Sequence, residues 1–155
     1  MKEALGQAIL GAHNESLQPP HTCGGPLNFV VRSSGRNLVL GWYVLVFRKG
    51  ADAPKQLPLA LWETGVFGLE WLDDLVKAEK AVNLGGDGYP KCYSITAGVL
   101  LPVLAKGLPS NRSPLVIGDD YLLPPGWNGQ LELDLAALSA CPTDETLFIE
   151  AWDQS

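Results

Sequence analysis

Both histidines of the chain, His13 and His21, lie close in the sequence to Cys23. A thiolate beside an imidazole is the pair that nucleophilic catalysis uses, because the imidazole serves as base and as counter-ion. The three side chains are also acceptable ligands for zinc or copper. Since no fourth ligand follows nearby, we expect an ordinary loop without a metal or cofactor. Cys23 with His21 is kept as a catalytic alternative.

A second group of reactive side chains centres on Asp119 and Asp120, with Tyr121 and Trp127 close behind. Adjacent carboxylates can bind Mg²⁺ or Ca²⁺, or share general acid and base work. A calcium loop needs more oxygen donors at regular spacing than this sequence offers. We therefore expect a polar turn, with the two aspartates as a second catalytic candidate. Trp127 is expected either to pack over the edge of a sheet or to anchor a partner.

Charge is distributed unevenly along the chain. Residues 1–112 carry eleven basic and nine acidic side chains, a net charge of +2, whereas residues 113–155 carry eight acids and no base. In the predicted strand 130–135, Glu132 and Asp134 alternate with leucines, so one face of that strand should meet water. Such asymmetry favours a basic partner for the acidic third, unless neighbouring basic strands neutralise it.

Composition also excludes some classes of protein. At a net charge of −6 and a pI near 4.8, the chain lacks the clustered Lys and Arg that nucleic-acid binding needs. It has neither a signal-like apolar segment nor a run long enough to cross a membrane, so we expect a soluble cytoplasmic protein without a membrane partner. The chain has three widely spaced cysteines, Cys23, Cys92 and Cys141. This number and spacing predict reduced thiols and no disulfide.

The strongest helical periodicity lies in residues 67–82, where Trp71, Leu72 and Leu75 belong to one apolar stripe. The glycine-rich run at 85–90 follows it and predicts the cap at the C-terminus of that helix. Phosphate binding by this run is disfavoured, because the phosphate would meet the negative end of the helix dipole.

The run 38–47 is hydrophobic on both alternating faces, which predicts a central strand covered on both sides. Together with the run 27–31 it predicts a β-hairpin. We expect an α+β fold, a mainly antiparallel sheet of about 5–7 strands packed against two or three helices. The 155 residues should form a single domain, 1–155, with residues 1–26 as a peripheral short helix plus loop.

These patterns favour a small non-catalytic binding or regulatory protein that acts through a protein–protein interface. The expected binding residues are aromatic and acidic side chains of the C-terminal third: Trp127, Tyr121, Asp119, Asp120, Glu132 and Asp134. One alternative is a small hydrolase- or transferase-like enzyme, and another is an inhibitor or immunity-type protein that uses an acidic face. A homo-oligomer is a further alternative if one face of strand 38–47 is bare.

Overall fold

The computed structural model describes residues 40–48, 57–110, 112–117, 119 and 121–154. Within these ranges the chain forms eight strands and three helices. The strands are β1 Gly41–Arg48, β2 Ala60–Gly65, β3 Ala81–Gly85, β4 Lys91–Thr96, β5 Leu115–Ile117, β6 Tyr121–Leu123, β7 Asn128–Leu133 and β8 Thr146–Asp153. The helices are α1 Glu70–Lys77, α2 Ala97–Ala105 and α3 Leu135–Ser139.

Six of the described strands form one sheet in the order β3-β4-β8-β1-β2-β7, and β5 pairs with β6 as a separate ribbon. All of these pairings are antiparallel. The α+β class expected from the sequence is therefore confirmed.

Strand β1 is buried on both faces. Val44 and Val46 belong to the core on the helix side of the sheet, whereas Leu45 and Phe47 belong to a second cluster on the opposite face. The expectation of a central, doubly covered strand is confirmed. A bare face of this strand, which would have favoured assembly with a second copy, is not what the structure shows.

Both edges of β1 are occupied by strands from distant parts of the chain, one by β2 and the other by β8. The hairpin partner that the sequence predicts for this strand, the run 27–31, lies outside the described residues. The sequence pattern recognised two β-prone runs but could not show that distant segments would take both edges.

The helices cover one face of the sheet because each has an apolar side. Leu72 of α1, Leu100 of α2 and Leu138 of α3 are buried in the same core as Trp62 of β2. The indole of Trp62 is fully buried and donates a hydrogen bond to the carbonyl of Pro109 over 3.1 Å. The indole nitrogen is thus satisfied inside the core, as a buried donor must be.

Helix α1 ends earlier than predicted. Glu79 adopts a left-handed conformation with φ of 58°, and the amide of Lys80 donates to the carbonyl of Leu75 over 2.9 Å, which closes the helix. The chain then enters β3, so the glycine-rich run at 85–90 connects β3 to β4 and caps no helix. The prediction of a helix over 67–82 is therefore wrong beyond Lys77, because the apolar stripe continues into a strand.

The predicted strand 130–135 is divided at Asp134, since β7 ends before this residue and α3 begins after it. The carboxylate of Asp134 accepts a hydrogen bond from the amide of Ala137 over 2.9 Å and so caps α3. Leu135 consequently begins a helix, because the capped amide favours a helical turn over a further strand residue.

The buried face of α1 yields a stability prediction. Leu72→Ala should lower the free energy of unfolding by about 2–5 kcal/mol, since it removes a fully buried side chain from the core. Leu135→Ala is the matched control, because that leucine is 67% exposed. Urea unfolding measures both variants, and equal losses in the two would contradict the described core.

Candidate binding face

The face of the sheet opposite the helices, here called the acidic face, carries carboxylates from three strands. Glu63 of β2 lies beside Tyr43 of β1, and Trp152 of β8 lies on the other side of Tyr43. One row along, Glu150 of β8 and Glu132 of β7 flank the paired Leu45 and Leu61. The acidic face is defined by Tyr43, Glu63, Glu132, Glu150 and Trp152.

Tyr43 is the buried centre of the acidic face, with only 5% of its surface exposed. Burial raises the pKa of its hydroxyl to about 12, and the negative charges of Glu132 and Glu63 add to the effect. An ionised phenol next to these carboxylates would be both desolvated and repelled. Tyr43 therefore stays protonated over the physiological range and can donate a hydrogen bond.

Glu150 and Trp152 form a polar pair on the same strand. The indole of Trp152 donates to a carboxylate oxygen of Glu150 over 3.2 Å. Burial raises the pKa of Glu150, while this hydrogen bond acts in the opposite direction by stabilising the ionised form. A positive charge brought to this position would also stabilise the ionised carboxylate.

Trp127 is half-buried, and its ring lies at the β7 edge of the acidic face. A Cβ on Gly129 would collide with both Glu63 and the ring of Trp127, so these two side chains fill the space above that glycine. The sequence prediction that Trp127 packs over the sheet edge agrees with this position. The indole is thus held next to a carboxylate of the acidic face.

The acidic face becomes more exposed from its centre towards the β7 edge. Tyr43 is buried, Glu63 is half-buried and Glu132 is exposed. We call Glu63, Trp127 and Glu132 the acidic rim. Carboxylates attract a cation, and an aromatic ring adds attraction through its electron-rich face. The rim has the side chains that an ammonium or guanidinium group binds.

The remaining predicted residues do not join the rim. Asp134 caps α3, and Asp119 is exposed between the two strands of the β5–β6 ribbon. The backbone of Tyr121 begins β6, while its side chain is not among the described ones. The other candidates lie outside the described residues: His13, His21, Cys23 and Asp120.

The acids of the C-terminal third are not gathered on one face. Glu145 forms an ion pair with Arg48 of β1, with 3.2 Å between the carboxylate oxygen and Nε. The same guanidinium donates to the thiol of Cys141 over 3.4 Å. Part of the acidic third is therefore neutralised by a basic strand, which is the alternative that the sequence left open.

The prediction of three reduced thiols is wrong. Cys141 is free and buried, whereas Cys92 of β4 is disulfide-bonded. The wide spacing of the cysteines was misleading, because folding brings together residues that are far apart in sequence. An odd number of cysteines leaves room for one bond and one free thiol.

Two features are absent from the described part of the chain. It contains no group of three or more His, Cys, Asp or Glu side chains placed to hold a metal ion. None of its helices combines the length and the apolar character required to cross a membrane.

Sequence reasoning missed Tyr43, Glu63 and Glu150 as members of one face. The available signal was a single charged residue inside each of two apolar strands, Glu63 after Trp62 and Glu150 after Ile149. Alternation alone places such residues on one side of their own strand. The register between neighbouring strands decides which of these side chains share one face of the sheet. The sequence alone does not give that register.

No known protein guides the interpretation of this face. No protein-family model matches the chain, and neither a curated protein nor a solved structure matches it.

The raised pKa of Tyr43 predicts a loss of stability at alkaline pH. An unfolded tyrosine ionises near pH 10, whereas folded Tyr43 holds its proton to about pH 12. The stability due to this difference is complete below pH 10 and is lost as the pH rises towards 12. Tyr43→Phe should therefore lose less unfolding free energy than the wild type between pH 9 and about 11.

Urea unfolding at the two pH values measures this difference, and Tyr89→Phe, at an exposed ring, is the matched control. Glu132→Gln should also lower the ionisation midpoint of Tyr43, followed by absorbance at about 295 nm, because it removes a negative neighbour. An unchanged midpoint would show that Glu132 does not act on this phenol.

Proposed function

We propose that the protein is a non-catalytic binding protein whose acidic rim binds a basic segment of a partner protein. The observation that carries this proposal is the separation of charges between the two faces of the sheet. Of the charged residues in the described strands, Glu63, Glu132 and Glu150 lie on the acidic face. The bases Arg48 and Lys91 lie on the helix side, together with one acid, Asp153.

The two strand bases are engaged on their own side. Arg48 contacts Glu145, and the ammonium of Lys91 lies 4.8 Å from the centre of the Trp42 ring. These two bases therefore lie on the opposite side of the sheet from the carboxylates of the acidic face. Electrostatic complementarity of this kind mainly accelerates association and selects among partners.

The aromatic side chains support a protein partner. Trp127 lies beside Glu63 at the accessible edge, and a partly exposed indole next to polar groups is typical of an interface anchor. A lysine or arginine side chain combines an apolar stem with a charged head, so it can contact the ring and a carboxylate together.

The enzyme alternatives stay predictions. Cys23, His21 and Asp120 lie outside the described residues, so only one carboxylate of the predicted pair, that of Asp119, belongs to the described part of the chain. The inhibitor alternative shares the acidic face with the proposal and differs from it in the identity of the partner.

A charge-matched comparison tests the rim. The double variant Glu63→Gln/Glu132→Gln should bind a labelled Lys/Arg-rich peptide about tenfold more weakly than the wild type, a difference of about 1.4 kcal/mol. The control Glu70→Gln/Asp73→Asn removes the same charge from exposed positions on α1. Fluorescence anisotropy at low and high salt measures both. Equal losses in the two variants, or no binding by the wild type, would refute the proposed site.

The aromatic contribution is tested separately. Trp127→Ala should weaken binding of the same peptide more than Trp127→Phe does, because phenylalanine keeps part of the ring face that the cation contacts. Circular dichroism and the urea midpoint show whether each variant stays folded. Wild-type affinity in folded Trp127→Ala would remove the indole from the site.

A further inference from the structure

The two edges of the described sheet differ in how they are protected. Strand β3 forms one edge and pairs with β4, while β7 forms the other and pairs with β2. An edge strand leaves part of its backbone donors and acceptors unpaired, so it can add a strand from another chain. Charged side chains, proline and bulges are the usual protections. Strand β7 has such a charge in the exposed Glu132.

Strand β3 has neither a charge nor a proline among its five residues, Ala81–Gly85. Val82 and Leu84 are 58% and 48% exposed, although both are apolar. In the described part of the chain, β4 is the only strand that pairs with β3. Exposed apolar side chains on a strand with one open edge are typical of a site where another strand is added.

We propose that β3 pairs with β3 of a second copy of this chain, antiparallel and about a two-fold axis at Asn83. In this register, Val82 of each copy lies opposite Leu84 of the other. Each exposed apolar side chain therefore gains an apolar neighbour across the strand pair, a contact that stabilises a sheet. The two-fold axis repeats the contact, as in the isologous interfaces of most dimers. The strand is thus complementary to itself.

The charges that flank β3 favour the same orientation. Lys80 directly precedes the strand and Asp87 follows it in the turn to β4, and both side chains are exposed. In the proposed register, Lys80 lies opposite Gly86 and next to Asp87 of the other copy, whereas parallel pairing would bring like charges together. Glu79 lies one residue further out, where the chain leaves the line of the strand in a left-handed turn with φ of 58°.

The contact between the two strands is short. The register of β3 with β4 shifts between Asn83 and Gly85, and the amide of Gly85 donates to the side-chain oxygen of Asn83 over 2.7 Å. The regular part of the edge is therefore only a few residues long. Since small interfaces are typically weak and transient, we expect a dimer that forms at high protein concentration and dissociates on dilution.

The dimer also fixes where the two acidic faces lie. Val82 is in register with Ser94, whose neighbours Tyr93 and Ile95 belong to the core on the helix side, so Val82 lies on the side of the acidic face. A two-fold axis perpendicular to the sheet keeps both acidic faces on the same side. It places β7, with the acidic rim, at each outer edge of twelve strands, six from each copy.

The two rims of the dimer are therefore about 50 Å apart, at about 4.8 Å for each strand spacing. This distance suits a partner that carries two basic segments. The bivalent use of the rims rests on the proposed function, whereas the pairing of β3 does not. A measurement of mass alone therefore tests the dimer, whether or not the rim binds a basic peptide.

The oligomeric state of the purified chain tests the pairing. In sedimentation velocity between about 1 and about 200 µM, the molar mass should rise with concentration from 16.6 kDa towards twice that value. Leu84→Lys puts a charge on the edge, so this variant should stay a monomer over the same range. Leu131→Lys is the matched control and should still dimerise, because this leucine is also 48% exposed but belongs to the opposite edge strand.

Circular dichroism and the urea midpoint show whether each variant is folded. A wild type that stays monomeric throughout the range would overturn the proposal. So would a folded Leu84→Lys that dimerises like the wild type, or an equal loss of dimer in Leu131→Lys.

A cysteine at the two-fold axis tests the register independently. Residues that face each other across an antiparallel pair have Cα atoms about 5 Å apart, which is within the reach of a disulfide. Under a mild oxidant, Asn83→Cys should therefore link two copies about tenfold faster than Val116→Cys, a position of the β5–β6 ribbon that is 63% exposed. Non-reducing electrophoresis measures both rates. Equal rates would exclude a two-fold axis at Asn83.

Discussion

The pairing of β1 with β2 on one edge and β8 on the other is the constraint on which the rest of the structure depends. Because both rows of backbone donors and acceptors are used, β1 lies inside the sheet. Its side chains are apolar on both faces, so neither face can be left to water. Val44 and Val46 require a cover on one side, while Leu45 and Phe47 require one on the other. The three described helices meet the first requirement. The cover that Leu45 and Phe47 require accounts for the buried residues at the centre of the acidic face.

Charge follows the same division. Arg48 and Lys91 lie on the helix side, each next to a group that balances or attracts a cation. The carboxylates of Glu132 and Glu63 lie near the buried phenol of Tyr43, and their negative charges add to the effect of burial in keeping that phenol protonated.

The sequence predicted those features that depend on a short, continuous segment of the chain. The doubly apolar run 38–47 predicted the central strand, and the apolar stripe of residues 67–82 predicted a helix, although α1 ends at Lys77. Features that depend on distant partners were not predictable. Neither the neighbours of β1, nor the disulfide of Cys92, nor the alignment of Glu63 with Tyr43 leaves a pattern within one short window, because register and strand order create them. For the same reason the candidate site kept Trp127 and Glu132 from the sequence but gained Glu63.

Gly129 shows how an absent side chain can determine a surface. Its position is filled by Glu63 of the neighbouring strand and by Trp127, two residues earlier in its own chain. The indole and the carboxylate meet only because no third group separates them. During evolution, this position on the edge strand should therefore tolerate little variation. Loss of the glycine in a descendant would mark a surface from which the carboxylate or the indole had been displaced.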